Sequence, residues 1–183
     1  MSPLTELIGS AKAYGWGKLI ETGPFESIAT TTVGSGGSST ITFSSIPATF
    51  THLQLRIMLP SVTSETRLRF NTDSGSNYSR HGLFGAGSTA EAYGVANQTY
   101  CGLSADSTQP NAMVTDILDY ANTNKYKTNR TLSGFDNNGS GVVALRSDNW
   151  RNTNAITTFT LTVLDSSNFP QYSHFALYGI RSA

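Results

Sequence analysis

The sequence predicts an all-β protein, built as one antiparallel β-sandwich of the jelly-roll type behind an extended N-terminal arm. Three observations support this prediction. Short segments alternate between apolar and polar residues, which is the period of a half-buried strand. Clusters of turn-forming residues separate these segments at regular intervals. No segment among them has the helical period that a parallel sheet would need. We assign residues 1–24 to the arm and residues 25–183 to the sandwich domain.

The arm has a different pattern from the rest of the chain. Its apolar residues from Leu4 to Ala11 fall at helical spacing for one or two turns, and the segment Tyr14 to Gly17 then interrupts that pattern. The arm is too short to form its own core, so its apolar and aromatic side chains need a surface to bury against. That surface could belong to this domain, to a sister subunit or to another protein. We expect the arm to anchor the protein through Leu7, Ile8, Tyr14, Trp16, Leu19 and Ile20.

The clearest strand runs from Thr51 to Leu59. Every second residue from Leu53 onward is apolar and belongs to one face, while His52 and Arg56 belong to the other. Pro60 follows, where a strand stops donating to its ladder. Similar alternation predicts further strands at Ile41 to Phe43, Leu68 to Phe70, Val143 to Leu145, Phe159 to Val163 and His174 to Ile180. In total we expect about nine to eleven strands.

Segments rich in Gly, Asn, Asp and Ser separate the predicted strands. These residues tolerate a positive φ or bond their own backbone, which is what tight turns require. The segments are Gly34 to Ser39, Asn71 to Asn77, Gly85 to Ser88, Asn122 to Asn124, Asp136 to Gly141 and Asp165 to Asn168. Many short strands with such punctuation are typical of a sandwich or barrel.

Composition excludes several classes of partner. Lys and Arg together number 12, as do Asp and Glu, so the formal net charge is zero and nothing steers the protein toward nucleic acid or an anionic membrane. Charged residues make up 13% of the chain, about half the usual share, which suits a subunit of an assembly. Cys101 is the single cysteine, so no intrachain disulfide can form. We expect no cofactor.

Several motifs resemble one family of proteins. They are Ser27 to Thr30, Val33 to Gly37, Ile41 to Leu53, Arg69 to Tyr78 and Phe175 to Ile180. In this order they resemble a family of small structural proteins found in the virions of tailed bacteriophages, and the resemblance covers roughly residues 25–181.

The resemblance implies a jelly-roll module, commonly trimeric, that is displayed on a head or tail appendage and has no catalytic centre. It therefore predicts a non-enzymatic virion protein, assembled in the cytoplasm of the bacterial host and anchored to the particle by its arm. The expected partners are copies of this chain and other virion proteins of the capsid, the portal and neck, or the tail. Such modules look alike in fibres, spikes and capsid decorations, so the position on the particle is open.

The alternative function is that of a tail-fibre receptor-binding protein that recognises a host cell-surface glycan. Trp150 could stack on a sugar ring while polar neighbours bond its hydroxyls. The candidate site comprises Asp148, Asn149, Trp150, Arg151 and Asn152, within loops such as Asn149 to Asn154 and Gly85 to Tyr100. The competing interpretation is a Trp that caps the edge of the sandwich, with its N–H bonded to a loop.

A third function, polysaccharide degradation, would need catalytic groups. No Gly-x-Ser-x-Gly motif accompanies His52, His81 or His174, so we expect no hydrolase triad and no catalytic residue. Asp116 and Asp119 could form a glycosidase pair, but residues three apart on a regular strand point to opposite faces. We expect Asp119 at a strand end and Asp116 bonded to a neighbour.

Two loops carry oxygen ligands of the kind that calcium prefers. Neither Asn71 to Asn77 nor Asp136 to Gly139 matches the twelve-residue calcium loop with its terminal glutamate. We therefore interpret both as tight turns and expect no metal site.

Overall fold

A computed structural model describes residues 24–104 and 107–181 of the chain. In this part the protein consists of two antiparallel β-sheets, so the predicted all-β antiparallel sandwich is confirmed. The six residues predicted to anchor the arm lie outside the described residues; they are Leu7, Ile8, Tyr14, Trp16, Leu19 and Ile20. Their role stays a prediction.

The described residues form twelve strands. They are β1 (Phe25–Thr32), β2 (Ile41–Phe43), β3 (His52–Leu59), β4 (Thr66–Phe70), β5 (Tyr78–Ala86), β6 (Thr89–Gln98), β7 (Cys101–Gly102), β8 (Asn111–Leu118), β9 (Lys127–Asn137), β10 (Ser140–Trp150), β11 (Phe159–Val163) and β12 (His174–Ile180).

The strands divide unequally between the two sheets. The large sheet has eight strands in the order β1-β12-β3-β8-β9-β10-β5-β6, and the small sheet has four in the order β2-β11-β4-β7. Two hairpins, β5–β6 and β9–β10, lie wholly within the large sheet and extend it beyond β8. Without these hairpins, the remaining eight strands alternate between the two sheets along the chain, except that β4 and β7 are consecutive and both lie in the small sheet.

The hydrophobic core lies between the sheets, where the predicted alternation is confirmed. In β3, Leu53 and Leu55 are fully buried while Arg56 is exposed. Phe70 of β4 and Phe159 of β11 meet them from the small sheet and pack edge to face. Burial of each such side chain stabilises the fold by about 1.5–3 kcal/mol.

Turn chemistry fixes the register of the two inserted hairpins. Asn138 and Gly139, with φ of 52° and 87°, form the two-residue loop between β9 and β10, as a type I′ turn requires. Gly87, with φ of 56°, begins the two-residue loop between β5 and β6, where a type II′ turn places glycine.

The structure corrects two predictions about strands. Twelve strands are present among the described residues, where nine to eleven were expected. Most of the segment from Gly85 to Tyr100 is strand β6, so its assignment to a glycan-binding loop is wrong. The ten residues of β6 include three Ala and only two larger apolar side chains, because β6 is an edge strand with little of its surface in the core.

Candidate functional site

The proposed stacking residue of the glycan site, Trp150, lies in the core. It is 1% exposed and stacks on Tyr78 with 6.4 Å between ring centroids. Its Nε1–H donates to Asp73 Oδ2 at 2.7 Å. The interpretation of Trp150 as an exposed sugar platform is therefore wrong. The competing interpretation, a Trp that caps the sandwich edge, is confirmed only in the bond from its N–H to a loop, because the ring lies in the core.

Asp148, a second member of that set, is also unavailable to a ligand. Its side chain is buried against β5, where Arg80 Nε donates to Asp148 Oδ1 at 2.8 Å. Burial raises the pKa of the Asp148 carboxyl to about 6, even though the neighbouring Arg80 guanidinium acts to lower it. The prediction that Asp148 contacts a glycan is thus wrong, because the carboxylate is inside the sandwich.

The other three members are partly or fully exposed, yet they bond to their own chain. Asn149 Nδ2 donates to the Lys127 carbonyl at 3.3 Å, and Asn152 Oδ1 accepts from the Asn154 amide at 2.9 Å. Arg151 Nη2 donates to the Ser76 carbonyl at 2.6 Å. The five residues therefore do not form one surface.

The candidate catalytic carboxylates have structural partners. Asp116 Oδ1 accepts from Gln54 Nε2 at 2.8 Å, and Asp119 follows the end of β8, so both expectations for this pair are confirmed. Asp119 pairs with Lys125, whose hydrogen bond lowers the pKa of the Asp119 carboxyl below its usual value, and its backbone N–H donates to His52 Nδ1 at 2.9 Å.

The loop before β5 is the tight turn that its sequence predicted. Asp73 Oδ1 accepts from the Gly75 amide at 2.8 Å, and Oδ2 accepts from Asn77 as well as from Trp150. Burial acts to raise the pKa of the Asp73 carboxyl, but these three hydrogen bonds outweigh it and lower that pKa. Among the described residues, no group of three His, Cys, Asp or Glu side chains could hold a metal ion.

The inner side of the extended sheet carries an unusual amount of polarity. Arg80 is held between Asp148 and Glu65, with both contacts at 2.8 Å, and these carboxylates raise the pKa of its guanidinium against the effect of burial. Arg146 Nη1 donates to the Leu103 carbonyl and to Ser133 Oγ. Arg146 thus ties β10 to the segment after β7, and Arg80 ties β5 to β10 and to the residue before β4.

A row of exposed apolar side chains crosses the opposite, outward side of the same strands. Its members are direct cross-strand partners on β8, β9, β10 and β5, in the register Val114↔Leu132↔Leu145↔Leu83. They are exposed by 39%, 55%, 52% and 54%, respectively. We call these four residues the apolar row. The outward side of the six adjacent strands β3, β8, β9, β10, β5 and β6 is called the outer face.

The outer face has a groove beside the apolar row. Ala112, Gly134, Val143 and Gly85 form the neighbouring row of cross-strand partners, and three of them have small side chains or none. The resulting groove, with a volume of about 680 Å³, is lined mainly by residues of β8, β9 and β10. Val143 projects beside it and is 63% exposed.

The sequence contained a signal for this surface that the analysis of alternation missed. In β9 the inward positions are polar, including Lys127, Asn129 and Thr131, whereas the outward Leu132 is apolar. The middle of β10 is similar, with Arg146 and Asp148 inside and Leu145 outside, although Ala144 and Trp150 are also inside. A strand with polar inward and apolar outward positions indicates that its outward side meets another surface.

Comparisons with known proteins do not assign a family. No protein-family model matches the chain, and no curated protein is significantly similar to it. In the ranges 24–104 and 107–181, no helix is long and apolar enough to cross a membrane.

Proposed function

We propose that this protein is a non-enzymatic structural subunit of a tailed-phage virion, homotrimeric and attached to the particle by its N-terminal arm. The observation that carries the proposal is the apolar row, an uncharged stripe across four adjacent strands that is exposed in the single chain. Exposed apolar patches of this extent are typical of surfaces that contact other proteins.

The strand order supports a jelly roll. Eight strands alternate between the two sheets apart from β4 and β7, which share the small sheet, and β1, β12, β3 and β8 are consecutive in the large sheet. Two interleaved Greek keys produce this alternation in jelly rolls. The motifs that resemble virion proteins include residues of β1, β2, β3, β4 and β12, which all belong to this eight-strand framework.

The arrangement of polar groups favours a structural role over a chemical one. Asp73, Asp116, His52 and His174, which the sequence analysis considered, each bond to a neighbouring side chain or backbone group. Glycan recognition loses its main support, because Trp150 is in the core. The partners that we propose are sister subunits and virion proteins of the capsid, the neck or the tail.

The test uses phage particles that carry the full chain or a chain lacking residues 1–22. We expect electron microscopy with a label on this protein to locate the full chain on the virion surface. The truncated chain should be made in the host as folded protein, yet be missing from purified particles. Particles without the full chain would refute the virion role, and wild-type occupancy by the truncated chain would refute the anchoring role.

A further inference from the structure

We propose that the edge strand β6 pairs with β6 of a second copy of this chain, so that two large sheets join into one. The two strands run antiparallel, and a twofold axis perpendicular to the sheet passes between the two copies of Ala92. This inference goes beyond the proposed function, because it specifies a contact between two copies that requires neither the arm nor a particle.

The described strands leave four sheet edges, and that of β6 is open over the longest regular run. The edges of the small sheet, β2 and β7, have only three and two residues. Strand β1, at the other end of the large sheet, has a bulge between Ser27 and Ala29, and bulges hinder pairing with another chain. Strand β6 is regular from Thr89 to Val95 and contains no Lys, Arg or Pro, the residues that commonly protect an edge.

The backbone of β6 points hydrogen-bonding groups toward the open edge at three positions. Ala86 and Thr89 flank the two-residue loop of the β5–β6 hairpin, so they form a hydrogen-bonded pair, and bonded pairs then alternate along the hairpin. The N–H and C=O groups of Ala90, Ala92 and Gly94 therefore point away from β5. The β9–β10 hairpin gives the same result independently, because its register directs the bonds of their β5 partners to β10.

The same three positions are complementary to their own copies. Ala90, Ala92 and Gly94 are exposed and have small side chains or none, so a second strand can approach them closely. In antiparallel pairing about Ala92, this residue lies opposite its own copy, and Ala90 of each chain lies opposite Gly94 of the other. Each of these three pairs exchanges two hydrogen bonds, so every edge-directed group of the three residues finds a partner.

Neighbouring registers are less favourable. An axis at Glu91 would place two like charges directly opposite each other, which destabilises a strand pair. An axis at Tyr93 would require regular pairing at Ala96, but the strand is irregular there, since the next residue, Asn97, has a φ of 56°. With the axis at Ala92, Glu91 of each copy lies opposite the uncharged Tyr93 of the other.

The register about Ala92 also aligns the apolar rows of the two copies. Ala92 is the cross-strand partner of Leu83, which is the end of the apolar row. When Ala92 lies at the twofold axis, the row of one copy continues in line into the row of the other across two alanines. An axis at Glu91 or Tyr93 would offset the two rows by two residues. The proposed pairing thus joins two exposed apolar rows into one on a continuous outer face.

The size of the contact predicts a weak association in dilute solution. The paired residues from Thr89 to Val95 extend for about 20 Å, and a sheet layer about 10 Å thick gives roughly 200 Å² of planar contact for each copy. A standard interface takes roughly 800 Å² from each partner, so this pair belongs to the weak contacts. Pairing is favoured where copies are held close together, as neighbouring subunits are in an assembly.

The first experiment captures the pair with one introduced cysteine in the full chain, in which the native Cys101 is buried. Two Ala92→Cys side chains should lie opposite each other with about 5.5 Å between Cα atoms, which a disulfide can span. The control is Ala90→Cys, exposed on the same strand, whose two copies would be about 14 Å apart. After oxidation at near-millimolar concentration, Ala92→Cys should run on a denaturing gel at twice the 19.6 kDa of one chain, and Ala90→Cys at the mass of one chain. Equal yields of covalent dimer from the two variants overturn the inference.

The second experiment tests whether main-chain hydrogen bonds make the contact. The double variant Ala90→Cys, Gly94→Cys should give covalent dimers, because these positions face each other between copies but are about 14 Å apart within one strand. Adding Ala92→Pro should abolish the dimers, since proline removes the N–H at the axis, and the domain should stay folded because this N–H does not bond to β5. Adding Ala92→Thr, which keeps the N–H, should preserve them. Equal crosslinking of folded proline and threonine variants refutes strand pairing.

These outcomes are distinguishable from those on phage particles. Crosslinks in the expected register in a protein that is absent from virions support the pairing and refute the virion role. A subunit found on virions whose Ala92→Cys variant crosslinks no better than Ala90→Cys supports the virion role and refutes the pairing. If Ala92→Pro is also lost from such particles, a strand of another virion protein, and not a second copy, occupies the edge of β6.

Discussion

At the scale of single residues, the main feature is the number of charged groups inside the sandwich. Arg80 and Asp148 form an ion pair in which the side chains are 6% and 0% exposed. The low polarity of this site favours the neutral carboxyl, so burial raises the pKa of Asp148 to about 6, whereas its ordinary value is 3.8. A buried pair of this kind makes folding stability depend on pH.

We predict that Asp148 contributes more stability at acid pH than at neutral pH. The folded protein holds the proton of Asp148 up to about pH 6, and the unfolded chain releases it near pH 4, so the contribution is fully present below pH 4 and is lost as pH rises through 6. The free energy of unfolding of the wild type minus that of Asp148→Asn should fall between these values by an amount on the order of 3 kcal/mol. Urea denaturation at several pH values measures it.

Asp73 provides the matched control, because its hydrogen bonds lower the pKa of its carboxyl. The contribution of Asp73 to the free energy of unfolding is present above the ordinary carboxyl pKa and is lost as pH falls through the lowered pKa. This pH dependence has the opposite sign to that of Asp148. The free energy of unfolding of the wild type minus that of Asp73→Asn should therefore decrease toward acid pH. For Asp148→Asn, the free energy of unfolding of the wild type minus that of the variant could instead increase toward neutral pH. That result would show that the ion pair with Arg80 affects the pKa of Asp148 more than burial does.

The prediction from sequence was wrong for residues that are buried although their neighbours in the chain are polar. Trp150 has Asp148, Asn149, Arg151 and Asn152 as chain neighbours, which indicated an exposed indole. In the structure Trp150 and Asp148 share the inward side of β10, because residues two apart on a strand face the same way. Only knowledge of Arg80 across the strand pair explains why an acid lies beside the tryptophan in the interior.

At the scale of elements, the short strand β7 lies close to charged side chains of neighbouring segments. Gly102 of β7 lies against the ion pair of Arg80 and Glu65. A Cβ at this position would lie 2.1 Å from Arg80 Nη2 and 2.2 Å from Glu65 Oε1. Glycine is required here by the closeness of the two charged groups and not by a special φ, since Gly102 is not among the glycines with positive φ.

We predict that Gly102→Ala displaces the ends of the Arg80 and Glu65 side chains and destabilises the protein by about 1–3 kcal/mol, the usual effect of an extra methyl group at a closely packed site. Gly34→Ala is the control, because a Cβ there meets no atom within 4 Å. Thermal and urea denaturation compare the two variants with the wild type. Equal stability of Gly102→Ala and Gly34→Ala would mean that the ion pair shifts without cost.

The sequence predicted the framework strands better than the inserted hairpins. Alternation identified β3, β4 and β11, because one side of each strand faces the core and the other faces water. It identified part of β10 at Val143 and Leu145 but not the meaning of these residues, which point away from the core. Periodicity gives the two sides of a strand without saying which side is inside.

At the scale of the whole molecule, the sandwich has a core of its own among the described residues. Its buried cluster extends from Val33 to Leu177 and draws side chains from both sheets. The all-β class was predictable from periodicity and turns alone, whereas the extension of the large sheet was not, because pairing between β10 and β5 joins segments far apart in the chain.

We predict that a chain lacking residues 1–22 still folds, because the described residues already form a buried cluster that draws side chains from both sheets. Leu55→Asp should instead unfold the domain, since Leu55 is fully buried and an unpaired carboxylate there has no partner of opposite charge in the core cluster. Circular dichroism and a cooperative thermal transition distinguish the two outcomes. Loss of the transition on truncation would make the arm part of the core.

The pairing of β1 with β12 has a consequence for how the chain is made. Phe25 pairs with Ile180, and Arg181 Nη2 binds Glu26 Oε2 at 2.9 Å, so the first strand of the sheet is held by the last. On the ribosome, β1 emerges long before the strand that it must join, and among the described strands β12 is its only neighbour in the sheet. We therefore expect a late, slow step in which the whole intervening chain closes into a loop, and nascent chains that stop before β12 should be captured by chaperones.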